Sequence, residues 1–337
     1  MKKYLFIALA ASAMVSCSQD ETLDNVQGEA IKFGPTFVEN STRAAANPSY
    51  VMNTKDITQV DVWGTVTAAP TGSTPVLIYS STDVTKGSAA YGAVWTCPVT
   101  QYWVPGATYK FVGIVDGEKT GVTTANIPEG ELLPTTVTYV ADGETDLLCD
   151  VVDVAGTNVT ATYNEIVKFS YTHLLSKVKF TLTDNSPADA SGVKTHFRYS
   201  VSDIKITNAY AQGTVTVADG KWNNLSTAKA EGQTDNYCTF GDIAWNDEDK
   251  ECAAEKLLLP MSNPTVSFKL KLEGKDANDK WVTISEETKT PSATIALEAA
   301  KAYNFNIEVT VGQQIQFSVQ TLTAWTDATP QPDAFEF

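Results

Sequence analysis

The sequence predicts an all-β protein built as two tandem antiparallel β-sandwich domains. Three observations carry that prediction: apolar residues recur at every second position in short runs, the runs are rich in β-branched and aromatic side chains, and turn residues separate them. IKF (31–33), ITQVDVWGTV (57–66), TYKFVGIV (108–115), VKFTL (178–182), GTVTV (213–217), VSFKLKL (266–272), YNFNIEVTV (303–311) and IQFSV (315–319) follow the pattern. Between runs lie PG (105–106), DG (116–117) and ADG at 141–143 and again at 218–220, which is turn chemistry. No stretch reads as a capped amphipathic helix. Sandwiches are then the economical way to bury one face of each strand.

From the N-terminus, residues 1–16 open with Lys2 and Lys3 and continue as an apolar run over 4–15. That run is far shorter than the roughly 20 residues a helix needs to span a bilayer, so it reads as an export signal removed on maturation. Ser16 precedes Cys17 in a segment that resembles the lipobox of bacterial lipoproteins, with Met14 standing where leucine is usual. Cys17 is then the lipidated first residue of the mature chain, and several acyl chains on one cysteine anchor firmly. Ser18, Gln19, Asp20 and Glu21 resemble the acidic tag that sends some Gram-negative lipoproteins to the outer face of the outer membrane. Residues 17–29 lack a strand pattern and read as a lipidated, solvated tether.

A polar, turn-rich stretch, AGTNVTATYNE (155–165), separates an N-terminal domain over 30–160 from a C-terminal domain over 161–337. Four cysteines follow Cys17: Cys97, Cys149, Cys238 and Cys252. In an oxidising compartment they permit three pairings. Local economy favours Cys97 with Cys149 and Cys238 with Cys252, and four buried free thiols are the alternative.

The formal net charge of -16 excludes nucleic acid as a partner, because phosphate binding needs clustered cations. HExxH, GxSxG, P-loop and CxxC motifs are all missing from the sequence, so neither metal activation, a nucleophile elbow nor phosphate cradling has its motif. No enzymatic activity, cofactor or metal is expected, and no catalytic residue is nominated. The acidic loop WNDEDKE (245–251) offers oxygen ligands without the spacing or glycine of an EF-hand, and reads as solvated. His173 stands beside an apolar strand, where a lone histidine is usually a satisfied structural group. Trp95, Tyr102 and Trp103 are core aromatics by their alternation, with stacking on a glycan as the other reading.

Several stretches resemble the fimbrillin family, in order along the chain. They are AIKFGPTFVENSTRA (30–44), WTCPVTQYWVPGATYKFVGI (95–114), DLLCDV (146–151), YTHLLSKVKFTL (171–182), LLLP (257–260) and AKAYNFNIEV (300–309). Members are lipoprotein precursors with two β-sandwich domains of transthyretin-like Greek-key topology, forming type V pili. The resemblance implies a structural or accessory subunit of a cell-surface pilus, located at the outer membrane and in the fimbrium. Its partners are other pilin subunits, and it adheres to host or neighbouring cells. It also implies a cut after the arginine that ends the first strand. Arg43, followed by Ala44, is the matching position, and a neighbour's extended segment then fills the vacated groove. For that donor, GQQIQFSVQTLTAW (312–325) presents Ile315, Phe317 and Val319 on one side. The same segment reads equally as the last strand of its own domain. The alternative function is a surface glycan-binding lipoprotein.

Overall fold

A computed structural model describes residues 29–34, 37–38, 57–68, 73–85, 94–104, 106–116, 121–154, 166–187, 197–244, 250–251, 255–310, 315–322 and 334–336. Regular structure there is almost entirely β, as expected, and the one helical element among the described residues is a single 3-10 turn, Asp235–Tyr237, capped by Thr234.

One six-stranded sheet runs in the spatial order Phe37–Val38, Ser170–His173, Leu148–Val154, Thr108–Val115, Gln59–Thr67, Val76–Thr85. Its pairings are antiparallel except the first, where Phe37 and Val38 lie parallel to Ser170 and Tyr171. Both faces of its centre are covered. Val60, Val62, Tyr109 and Phe111 point into one core, whereas Trp63, Val112, Ile114 and Cys149 join another. This is why TYKFVGIV begins as an alternation and ends as an unbroken buried run.

The second core is closed by further sheets. Trp222–Ser226, Gln212–Thr216, Thr136–Val140 and Thr123–Asn126 form one of them. Another is ordered Lys250–Glu251, Ser176–Asp184, Ala302–Val309, Gln316–Leu322, Ala334–Glu336, with Lys256–Leu258 also on Ser176–Asp184. Phe197–Ile206, Val266–Lys275 and Trp281–Lys289 make a three-stranded sheet, and Met261–Ser262 pairs with Ala296–Leu297.

Strand pairing does not stop at residue 160. Thr136–Val140 pairs antiparallel with Gln212–Thr216, from Val140 opposite Gln212 to Thr136 opposite Thr216. Gln233 ties the two together, its Nε2 donating to the carbonyls of Ala141 (2.7 Å) and Ala211 (2.9 Å). In the other direction, Ser170–His173 pairs with Leu148–Val154 in the first sheet. A line between 160 and 161 therefore leaves an N-terminal hairpin in the second core and a later strand in the first. The crossing is held by a buried polar pair, in which His173 Nδ1 lies 2.5 Å from Asp146 Oδ2, both residues almost fully enclosed. A buried carboxylate is tolerable there because it also accepts from the Leu147 amide (2.9 Å). His173 is thus buried beside its strand and bound to Asp146 through Nδ1.

Several strands carry no simple alternation. Val76–Thr85 bends at Ser81 (φ 45°) and Phe197–Ile206 at Asp203 (φ 53°), each where the ladder shifts register. A bulge reverses which side chains face the core, so the period of two breaks mid-strand. Trp281–Lys289 is an edge strand whose side chains are largely exposed, Val282 and Ile284 included. An element that buries neither face leaves no periodicity to read.

Candidate functional site

The first core contains a slot filled by residues 29–34. Ile31 and Phe33 alternate inward and Lys32 outward, as IKF requires of a half-buried strand. Yet the segment makes isolated bridges instead of a continuous ladder, with Ala30 opposite Tyr102, and Phe33 opposite both Trp95 and Val167. Its backbone bonds reach three separate pieces of chain. The Ile31 amide donates to the Gln101 carbonyl (2.7 Å), Trp103 donates to Glu29 (2.9 Å), and Trp95 donates to Phe33 (2.9 Å). On the other side Val167 donates to Lys32 (2.8 Å) and Gly34 donates to Val167 (3.0 Å).

Phe33 is the anchor. Its ring meets Tyr79 edge-on at 5.4 Å and Phe111 edge-on at 5.8 Å, and lies parallel to Phe169 at 6.4 Å. Such geometries add about 0.5–1.5 kcal/mol per pair to simple burial. Two of those rings approach closely because the strand beneath them carries Gly64: a Cβ there would come within 2.8 Å of Tyr79 and 2.9 Å of Phe111. Burial, the largest cause, pushes the Tyr79 phenol well above its usual pKa and keeps it neutral. The chemistry of the slot is that of a receptor for an extended apolar segment: aromatic walls for alternate side chains, and amides and carbonyls on both flanks.

The expected site residues fall in different places. Cys17, Arg43, Ala44 and Cys252 lie outside the described residues, as do 245–249 of the acidic loop. Among the described residues no group of three or more His, Cys, Asp and Glu is placed to hold a metal ion. Ile315, Phe317 and Val319 sit in the second core. Phe317 is fully buried against Phe305 (5.8 Å) and Phe268 (6.4 Å), Val319 is buried and Ile315 half-buried, in a strand paired along its length with Ala302–Val309. Trp95 and Trp103 are buried, so the core reading holds for the two indoles and they offer no stacking platform, whereas Tyr102 is exposed and is not a core residue.

The pairing of Cys97 with Cys149 is corrected by the structure. Both are free thiols, as is Cys238. Cys149 faces the second core on Leu148–Val154, while Cys97 packs at the margin of the first core. The sheet stands between them. Burial, first among the causes, raises the pKa of all three thiols and suppresses thiolate.

The described residues are almost entirely β, with two apolar cores and a first segment held by isolated bridges. The chain belongs to the fimbrillin-like family, whose sequence profile matches residues 42–325. In fold it is similar to a fimbrial protein of Bacteroides vulgatus, at 11% identity and a TM-score of 0.62 over 88% of this chain and 100% of that one. Candidate cell adhesion proteins of Bacteroides ovatus (15% identity, TM-score 0.47, 90% of this chain and 99% of that chain) and Bacteroides uniformis (14%, 0.44, 88% and 97%) are also similar. No curated protein matches the sequence.

Proposed function

We propose that this chain is a structural or accessory subunit of a cell-surface pilus. It is exported by the 1–16 signal, lipidated on Cys17, and carried to the outer membrane on the 17–29 tether. A cut between Arg43 and Ala44 then frees the first strand, and a neighbouring subunit's segment fills the slot, so that subunits assemble by strand exchange into a fimbrium that adheres to host or neighbouring cells. The observation that carries this reading is the way residues 29–34 are held. Ile31 and Phe33 are buried, yet the backbone partners of the segment, Trp95, Gln101, Trp103 and Val167, belong to no single strand. Removing the segment strips both an apolar trough and a set of amides and carbonyls, and an incoming strand satisfies both at once.

The test is Arg43→Ala in cells that display the protein. The variant is expected to accumulate as a folded monomer beginning at Cys17, while the parent begins at Ala44 and ladders on a mildly heated denaturing gel. Ladders of equal length from both proteins overturn the reading.

A further inference from the structure

We propose that Ile166 makes the slot selective for one residue of its occupant, so that it takes an extended segment of the form aliphatic–x–aromatic–Gly in preference to one carrying a side chain at the last position. This deepens the strand-exchange reading above and rests on it.

The geometry is local. A Cβ added to Gly34 would lie 2.2 Å from Ile166 Cγ2 and 3.4 Å from Ile166 Cβ. Contacts under about 3 Å are not tolerated, so something must shift. Cγ2 is bonded directly to a branched Cβ, and relieving the clash needs a χ1 change in a residue type that is stiff there. Retreat of the backbone is also blocked. Val167, the next residue, donates to Lys32 and accepts from Gly34, so the chain directly after Ile166 is pinned to the segment.

Two anchors and one gap thus define the occupant: an aliphatic side chain at the Ile31 position, an aromatic ring among Tyr79, Phe111 and Phe169, and no side chain under Ile166. IKFG (31–34) meets all three conditions. Of the other aromatic–Gly pairs, those at 63–64 and 240–241 have Asp61 and Cys238 two positions earlier, and that at 91–92 has Ala89, whose methyl is far smaller than the Ile31 side chain. The Gln316–Leu322 strand and its preceding residue repeat both anchors, Ile315 and Phe317, but carry Ser318 where the slot requires glycine. Ile166 therefore ranks the chain's own first segment above that strand.

The full mature chain, nicked at Arg43 with an arginine-specific protease, provides the test. Fluorescent peptides of residues 29–38, of the same segment with Gly34→Ala, and of residues 313–322 are exchanged into it and read by anisotropy. The parent is expected to retain the glycine peptide about tenfold more tightly than either of the others. In an Ile166→Ala receptor that preference is expected to fall to about twofold. Equal retention by the parent, or an unchanged preference in Ile166→Ala, overturns the proposal. Should the nicked protein not fold, thermal melting of the uncut chain decides: Ile166→Ala is expected to recover most of the loss caused by Gly34→Ala, and simple additivity of the two overturns the proposal. A chain that keeps the glycine preference but never polymerises removes the pilus reading and leaves this one standing. A polymerising chain without the preference does the reverse.

Discussion

Two segments of this molecule carry the same anchors and are held in opposite ways. Residues 31–33 and 315–317 both read Ile-x-Phe, and both phenylalanines are buried among aromatic rings. The first is joined by isolated bridges to pieces of chain around 95, 102 and 167. The second lies in an unbroken antiparallel ladder from Ala302 opposite Leu322 to Glu308 opposite Gln316, with Ala334–Glu336 on its far side. Burial therefore does not distinguish the two segments; the continuity of their hydrogen bonding does, isolated bridges in the first and a full ladder in the second.

The sharpest way to break this comparison is to delete residues 312–337. The deletion removes one side of the Ala302–Val309 ladder and the Phe317 ring from the second core. Loss of the cooperative thermal transition and of the β-sheet circular dichroism signal is expected. A truncated protein that melts like the parent but no longer ladders would instead make this strand a donor.

Next come the two anchors. Phe33→Ala and Phe317→Ala are each expected to destabilise the uncut chain by about 3–5 kcal/mol in denaturant titrations, the usual cost of emptying a buried phenylalanine site. After the cut at Arg43 and loss of the segment, the Phe33→Ala effect should vanish while that of Phe317→Ala persists. Persistence of both would mean that the first segment stays in place.

The smallest effect concerns the sheet that frames the slot. Asp61 stands directly across from Asp83 in the ladder, and burial, then a shared hydrogen bond with Asp83 and the charge of Asp116, raise its pKa from 3.8 to about 6. A carboxyl whose folded pKa is raised contributes stability that is fully present below pH 4 and is lost as pH rises to about 6. Asp61→Asn is accordingly expected to melt higher than the parent at pH 7.5, by about 1 kcal/mol once solvent screening of this half-exposed group is allowed for. The gap should close by pH 4. A pH-independent difference would place the effect in packing instead.

Much of the fold was legible because the physics that decides it is short-ranged. Runs such as VKFTL and YNFNIEV alternate because each strand meets core on one side and water on the other, and both appear as strands: Ser176–Asp184 and Ala302–Val309. Elements escaped where that local rule fails. Bulges at Ser81 and Asp203 reverse the alternation, and the exposed edge Trp281–Lys289 has nothing to alternate against. The slot was half legible. IKF announced its own burial, but the aromatic ring of walls comes from residues 79, 111 and 169, which no spacing along the chain connects. Gly34 carries no pattern at all. Its meaning appears only when Ile166 is found against it.

Local chemistry in the sequence determined the all-β class, the burial of Ile31 and Phe33, and the likeness to fimbrillins, because side-chain period, turn residues and short motifs act over a few residues. Tertiary structure alone decided that hairpin 123–140 crosses into the second core, that the sheet keeps Cys97 and Cys149 apart, and that one Ile-x-Phe segment is bridged while the other is laddered. Those outcomes depend on which distant backbones meet, and pairing between strands far apart in the chain is settled by the total burial of both cores, a quantity no single stretch of sequence contains.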